Sequence, residues 1–229
     1  RAMGAHQLGD YELALGLGRE ALKYARQAAS PLREAIGLIR QADVFNDIGL
    51  TLQAAELYGQ ALTTLAQLNN LKWIRDACLQ TSILHRRHGG AGLAHEWLRR
   101  ALAVDETKDA TPDVRIQLAA LEIEAAPEQA ILTIHSLTKR RAQRLEASDL
   151  TLAHYFQASA ELRQGQPEKA LRSLTQAVTH AGSFGAEQAI AAEMRLDEEM
   201  RTFATKHLGS DPSFLVILGR MELMEALER

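Results

Sequence analysis

Apolar positions along this chain fall in paired runs at helical spacing. Leu38, Ile39, Ala42, Phe45 and Ile48 recur every three or four residues up to Gly49. Leu50, Ala54, Leu57, Tyr58, Ala61, Leu62 and Leu65 then resume the same spacing. The pattern predicts one amphipathic helix, a tight glycine turn, and a second helix. Long runs of Val, Ile, Thr and Tyr, the usual strand signal, are absent.

The paired pattern repeats. Gly9, Gly49 and Gly89 are 40 residues apart, as are Ala14, Ala54 and Ala94. Ala21, Ala61 and Ala101 share that period, each followed by leucine at Leu22, Leu62 and Leu102. Four columns in one register predict a structural repeat. The register continues through Ala130 after a shorter step of 36 residues. It then reaches Gly165, Ala170, Ala177 and Val178, while Ala125 stands in the glycine column of the fourth unit.

Each unit is expected to be a first helix, a glycine turn, a second helix and a polar link. The links fall at 29–31, 69–70, 106–113 and 146–149, with helix starts at Ser30-Pro31, Asp113 and Ser148 or Asp149. Glycine suits the turn because it accepts a left-handed backbone. The alanines are expected where the second helix crosses a neighbour closely. One helix pair cannot bury its own apolar face, so pairs must stack. After residue 181 the repeat degrades. Residues 182–185 are expected as a loop, 186–207 as an acidic amphipathic helix, and Ser210-Asp211-Pro212 as the start of a last helix. That helix is apolar on more than one side and suited to capping the array or to packing on another domain or a second copy.

The Leu8-Gly9-x-Tyr11-x-x-Ala14 and Ala61-Leu62 patterns, with Tyr58 between them in the second unit, resemble the tetratricopeptide repeat (TPR) family. The resemblance covers residues 1 to about 181. It implies an all-α fold: a right-handed α-solenoid of about five helix hairpins plus a divergent C-terminal helix pair. The units lie near 1–29, 30–69, 70–107, 110–145 and 148–181, with 182–229 as the divergent pair. These units are longer than the usual repeat and mostly lack its closing proline. In that respect they resemble the helical sensor domains of large bacterial transcriptional activators of the maltose-regulon and LuxR-type families.

Composition agrees with helices and narrows the function. Apolar residues make up 46% of the chain and aromatics 5%, with Ala and Leu, both strong helix formers, dominant. The formal charge of −3 gives no nucleic-acid-binding excess. No apolar run is long enough to span a bilayer. Cys78 is the single cysteine, which excludes an intrachain disulfide and fits a reducing, cytoplasmic setting. The chain begins at Arg1 and at once shows a helical pattern, as expected of a piece of a longer protein.

Candidate chemistry is sparse. His85, His88 and His95 read as H-x2-H-x6-H, which lacks the i, i+4 spacing of a zinc pair on one helix face. They are expected to be structural or surface histidines. Gly89-Gly90 lacks the lysine and hydroxyl of a phosphate loop. The basic run at 139–144 reads as a solvated helix end, with an anionic partner as the alternative. No nucleophile–base–acid set emerges, and Cys78 reads as a small buried apolar residue. Neither enzymatic activity, nor a metal, nor a cofactor is expected.

The TPR resemblance implies that one stripe of each first helix lines a concave binding groove. Carried onto this chain, the stripe runs through Met3 and His6, then Ile39, Asp43 and Asn46, then Leu79, Ile83 and Arg86. It continues through Arg115, Ala119 and Glu122, then Tyr155, Ser159, Leu162 and Arg163. The candidate binding residues are His6, Asp43, Asn46, Ile83, Arg86, Arg115, Glu122, Tyr155 and Arg163. Arg86 is the member of the histidine-rich stretch expected to point into the groove. The expected function is a non-catalytic binding module for a protein, peptide or small effector within a larger bacterial signalling or transcription-regulatory protein. No direct nucleic-acid or membrane contact is expected, and the last helix could join two copies. The alternative is a stand-alone scaffold that assembles other proteins.

Overall fold

A computed structural model describes residues 2–7, 9–104, 111–141 and 145–229, and every regular element among them is a helix. Leu8 of the quoted motif, the third link up to 110 and the basic run beyond 141 lie outside the described residues. So do the side chains of Met3, Arg140 and Arg141. The elements are α1 (Ala2–Gln7), α2 (Tyr11–Gln27), α3 (Pro31–Asp47), α4 (Thr51–Gln67), α5 (Leu71–Arg87), α6 (Ala91–Ala103), α7 (Pro112–Glu122), α8 (Pro127–Arg141), α9 (Ala147–Arg163), α10 (Pro167–Phe184), α11 (Glu187–Met194), α12 (Glu198–Leu208) and α13 (Pro212–Glu228). No described helix is long and apolar enough to cross a membrane. The chain divides into two compact units, residues 1–110 with 224–229 and residues 111–223.

In the first unit the backbone repeats every 20 residues, half the period visible in the sequence. Helices α2 to α5 are each 17 residues long and start 20 apart. The left-handed residues that end helices are Gly9, Ala29, Gly49, Asn69 and Gly89. Ser30 N–H donates to Ala25 C=O and Ala29 N–H to Arg26 C=O, both at 3.0 Å. Leu50 repeats this with Phe45 at 2.8 Å, and Asn70 with Leu65 at 3.1 Å. These are Schellman turns, in which the bonds satisfy the last carbonyls of the helix. The links between pairs therefore use the same turn as the glycines within them. Ala29 and Asn69 hide this because neither is glycine.

Ala29 adopts φ 46°, a conformation that costs an L-residue with a Cβ roughly 1–2 kcal/mol. Ala29→Gly should raise the melting temperature of the first unit. Gly89→Ala, at φ 78° with open space around the added Cβ, should lower it by the same mechanism. Thermal melts of both variants by circular dichroism check the pair, and opposite shifts are required.

Helix starts follow local chemistry. Pro31, Pro112 and Pro167 sit at the first helical positions, where the missing N–H costs nothing. The second of the expected starts moves from Asp113 to Pro112, and the third from Ser148 or Asp149 to Ala147. Asp10, Asn70, Asp197 and Asp211 accept from Leu13, Trp73, Met200 and Phe214 N–H at 3.0–3.3 Å as N-caps.

The core of the first unit joins Leu38, Ile39, Ala42, Ala54, Tyr58, Ala61, Leu65, Ala77 and Leu84. Ala54, Ala94, Ala130 and Ala170 are fully buried, as are Ala61, Ala101 and Ala177. Ala21 departs from its column and is exposed. There α2 buries Leu22 instead, over Gly37, where an added Cβ would lie 2.8 Å from Leu22 Cδ2. Within this unit α1 packs on α2 and α3, α3 on α4 and α5, and α5 on α4 and α6.

In the second unit α9 packs on α7, α8, α10 and α11. Two expectations fail here. Residues 182–184 are not a loop, because α10 runs on to Phe184 and ends at the left-handed Gly185. Residues 186–207 are not one helix. The chain leaves α11 after Met194, and Asp197 caps the separate α12. The last helix, α13, buries Phe214, Ile217, Met221 and Met224 and leaves Leu215, Val216 and Leu223 exposed.

Candidate functional site

The first helices of the repeat end in polar residues, and these meet one repeat on. In the first unit His6, Asp47 and Arg87 occupy the last turns of α1, α3 and α5. His6 Nε2 lies 2.8 Å from Asp47 Oδ2, and Arg87 donates to Asp47 Oδ1 at 2.7 Å. Asp47 and Arg87 stand 40 residues apart, one period of the repeat. A carboxylate at a helix C-terminus opposes the helix dipole, whereas cations there are favoured. Two cationic partners offset that penalty. Burial alone would lower the His6 pKa, but the hydrogen bond and charge of Asp47, with Asp43 behind it, raise it above the ordinary histidine value.

One turn earlier on α3, Asp43 accepts from Tyr58 Oη at 2.8 Å and from Arg40 at 3.0 Å. Arg40 also faces Asp76 at 3.9 Å and lies over the Trp73 ring. Burial pushes the Asp43 carboxyl up, against the pull of Arg40, His6 and the Tyr58 hydroxyl. Burial and Asp43 together push Tyr58 well above its usual range. Asn46, between these two layers, is 3% exposed, and its Oδ1 has no hydrogen-bond partner among the described residues.

The second unit places a charge cluster where the end of α9 meets the start of α12. Arg163, the last residue of α9, donates to Glu199 Oε2 at 2.8 Å, pairs with Glu124, and lies 3.7 Å from Asp197. Ser159 Oγ is 3.3 Å from Asp197 Oδ2, so the residue that caps α12 also ties it to α9. Burial works against the Arg163 charge, but Glu124, Asp197 and Glu199 raise its pKa. Beside Arg163, residues Leu162, Glu198, Glu199, Thr202, Phe203 and Lys206 line an open, mostly apolar pocket.

The groove candidates thus divide. His6 and Asp43 enter the network of the first unit, and Asn46 is buried beside it. Arg163 is the hub of the second. Tyr155 is buried with its ring edge-on to Phe156. Arg115 donates to Ser136 Oγ at 3.0 Å. Ile83, Arg86 and Glu122 are half-buried. The ion pair with Asp47 is made by Arg87, one helical step from Arg86. Asp47, Arg87, Arg40, Tyr58, Glu124, Asp197 and Glu199 are the members that the groove stripe omits. Opposite charges near one period apart, as at 47 and 87, 124 and 163, or 163 and 199, are the signal that marks most of them.

The histidine-rich stretch does not converge. His88 is exposed and pairs with Thr51 Oγ1 at 3.1 Å, His95 is exposed, and His85 is half-buried with its pKa lowered by burial. Among the described residues no three His, Cys, Asp or Glu side chains are grouped as a metal ion would require. Cys78 is 3% exposed, and burial pushes its thiol up to about 11. A second histidine pair lies elsewhere. His154 of α9 and His180 of α10 stack at 5.6 Å, and Phe184 stacks on His180 at 5.6 Å. Burial and the neighbouring His180 lower the His154 pKa.

No protein-family model and no curated protein matches this chain.

Proposed function

We propose that this chain is a non-catalytic binding module. Its helix pairs stack as a right-handed α-solenoid of TPR-like repeats, and the polar ends of the first helices receive a protein, peptide or small effector. The module belongs to a larger bacterial signalling or transcription-regulatory protein that works in the cytoplasm, and α13 offers a contact for a second copy. The observation that supports this reading best is the series of pairs made one repeat on: His6–Asp47–Arg87 in one unit and Glu124–Arg163–Glu199 in the other. In the first unit, where His6, Asp47 and Arg87 all stand in the last turns of α1, α3 and α5, such pairs favour neighbouring first helices turned the same way, as stacked repeats require; in the second, the end of α9 instead meets the start of α12. The carboxylates of the first unit are engaged by Arg, His and Tyr, an arrangement suited to holding helices together rather than to proton transfer. A stand-alone scaffold is favoured instead by leucines exposed on the second helices, Leu13, Leu52 and Leu93.

The test is capture of partners by the wild-type chain and by an Arg86→Ala/Arg115→Ala/Glu122→Ala triple variant with an unchanged melt. Loss of the captured protein is expected. Full retention would move the binding surface off the first helices, and a variant that instead lost capture through Leu13, Leu52 and Leu93 would favour the scaffold.

A further inference from the structure

The pocket beside Arg163 combines an apolar floor with charges of opposite sign at its two ends. Leu162 reaches it from the end of α9, and Phe203 and Thr202 from the middle of α12. The Phe203 ring tilts against His207 at 4.7 Å. Glu198 and Glu199 stand in the first turn of α12 and Lys206 in its last. Glu199 is held by Arg163, whereas neither Glu198 nor Lys206 has a hydrogen bond or ion pair among the described residues. The helix dipole accounts for carboxylates first and cations last. It does not account for the half-buried Leu162 and Phe203 that line the pocket with them.

The spacing sets the chemistry of an occupant. Residues 198 and 206 are eight positions apart on one helix, about 12 Å at 1.5 Å per residue. In an extended chain, residues i, i+2 and i+4 share one face, and four steps of roughly 3.3 Å span about 13 Å. We propose that this pocket takes an extended peptide segment with the pattern basic–x–large apolar–x–acidic. The apolar side chain sits between Leu162 and Phe203, the cation meets Glu198 beside Glu199, and the carboxylate meets Lys206. Burial of the apolar side chain supplies most of the affinity, and the two exposed ion pairs supply register and discrimination. This inference rests on the binding-module reading and names a site and a partner class for it.

The test is an amide NMR titration of the full chain at low salt, where exposed charges are least screened. The probes are capped nonapeptides whose centre is Arg-Ala-Leu-Ala-Glu, the same with Glu at both charged positions, and the first with Ser for Leu. In the wild type the Arg/Leu/Glu peptide should bind about five-fold more tightly than the Glu/Leu/Glu peptide. Shifts should centre on Leu162, Thr202 and Phe203, and the Ser peptide should bind least. Glu198→Lys, on an exposed first turn, should keep the melt and reverse the order of the two charged peptides. Shifts centred elsewhere on the first helices, with an order that Glu198→Lys leaves unchanged, would overturn this pocket while leaving the binding module standing. No binding by any of the three peptides at millimolar concentration would also overturn the pocket, and the capture experiment above would then decide the wider reading by itself.

Discussion

Ala61→Trp should unfold the first unit or lower its melting temperature by more than roughly 10 °C. Ala61 is fully buried among Ala54, Tyr58 and Leu65, so an indole has no space without moving α4 from its neighbours. Adding a few methylenes to a packed core already costs about 1–3 kcal/mol, and tryptophan adds far more. The informative control is Ala21→Trp. Ala21 holds the same repeat column but is exposed, because Leu22 takes the buried place there. Its melt should change little, in keeping with an exposed substitution of about 0.5 kcal/mol or less. Circular dichroism melts of the two variants measure this directly. If both fell together, the column rather than the packing would matter, and if neither fell the register of the repeat would be wrong.

Asp47→Ala should cost about 2–4 kcal/mol, because it leaves a mostly buried guanidinium and an imidazole without their acceptor. The side chains of Arg87 and Asp47 are 9% and 13% exposed, too enclosed for water to replace the pair fully. The same variant should change the pH dependence. His6 has its pKa raised in the folded chain, so its contribution is fully present below the unfolded value of about 6.5. It is lost as pH rises through the folded value. The His6 contribution should therefore fall as pH rises past about 6.5, against the opposite slope from His85 and His154, and Asp47→Ala should remove it, so that the stability difference between wild type and variant shrinks as pH rises. Urea unfolding at several pH values checks both statements. A difference between wild type and Asp47→Ala that stays constant over that range would contradict the proton assignment at His6.

The helix pairs and their turns were legible in the sequence because apolar spacing and glycine are local signals. Gly9, Gly49, Gly89 and Gly165 all adopt the left-handed backbone that their position predicts. The half-period was not legible, because Ala29 and Asn69 reach the same conformation without glycine's signature. The break between α11 and α12 was also hidden, since Leu196 and Asp197 continue a helical pattern until Asp197 is seen to cap Met200. Of the residues on the chosen face, His6, Asp43 and Arg163 enter the ion-pair networks. That face omits Asp47 and Arg87, which close their helices at the edge of the chosen stripe. A residue's place on one helix could be read from periodicity, but its partner is set by how the next repeat packs on it. Charge complementarity across one period is the part of that information the sequence does carry.

A double-mutant cycle on Asp47→Ala and Arg87→Ala measures whether first helices of successive repeats are joined through equivalent positions. A favourable coupling of about 1–3 kcal/mol is expected between residues 40 apart in the chain. Additivity of the two substitutions within about 0.5 kcal/mol would show that the pair does not join α3 to α5.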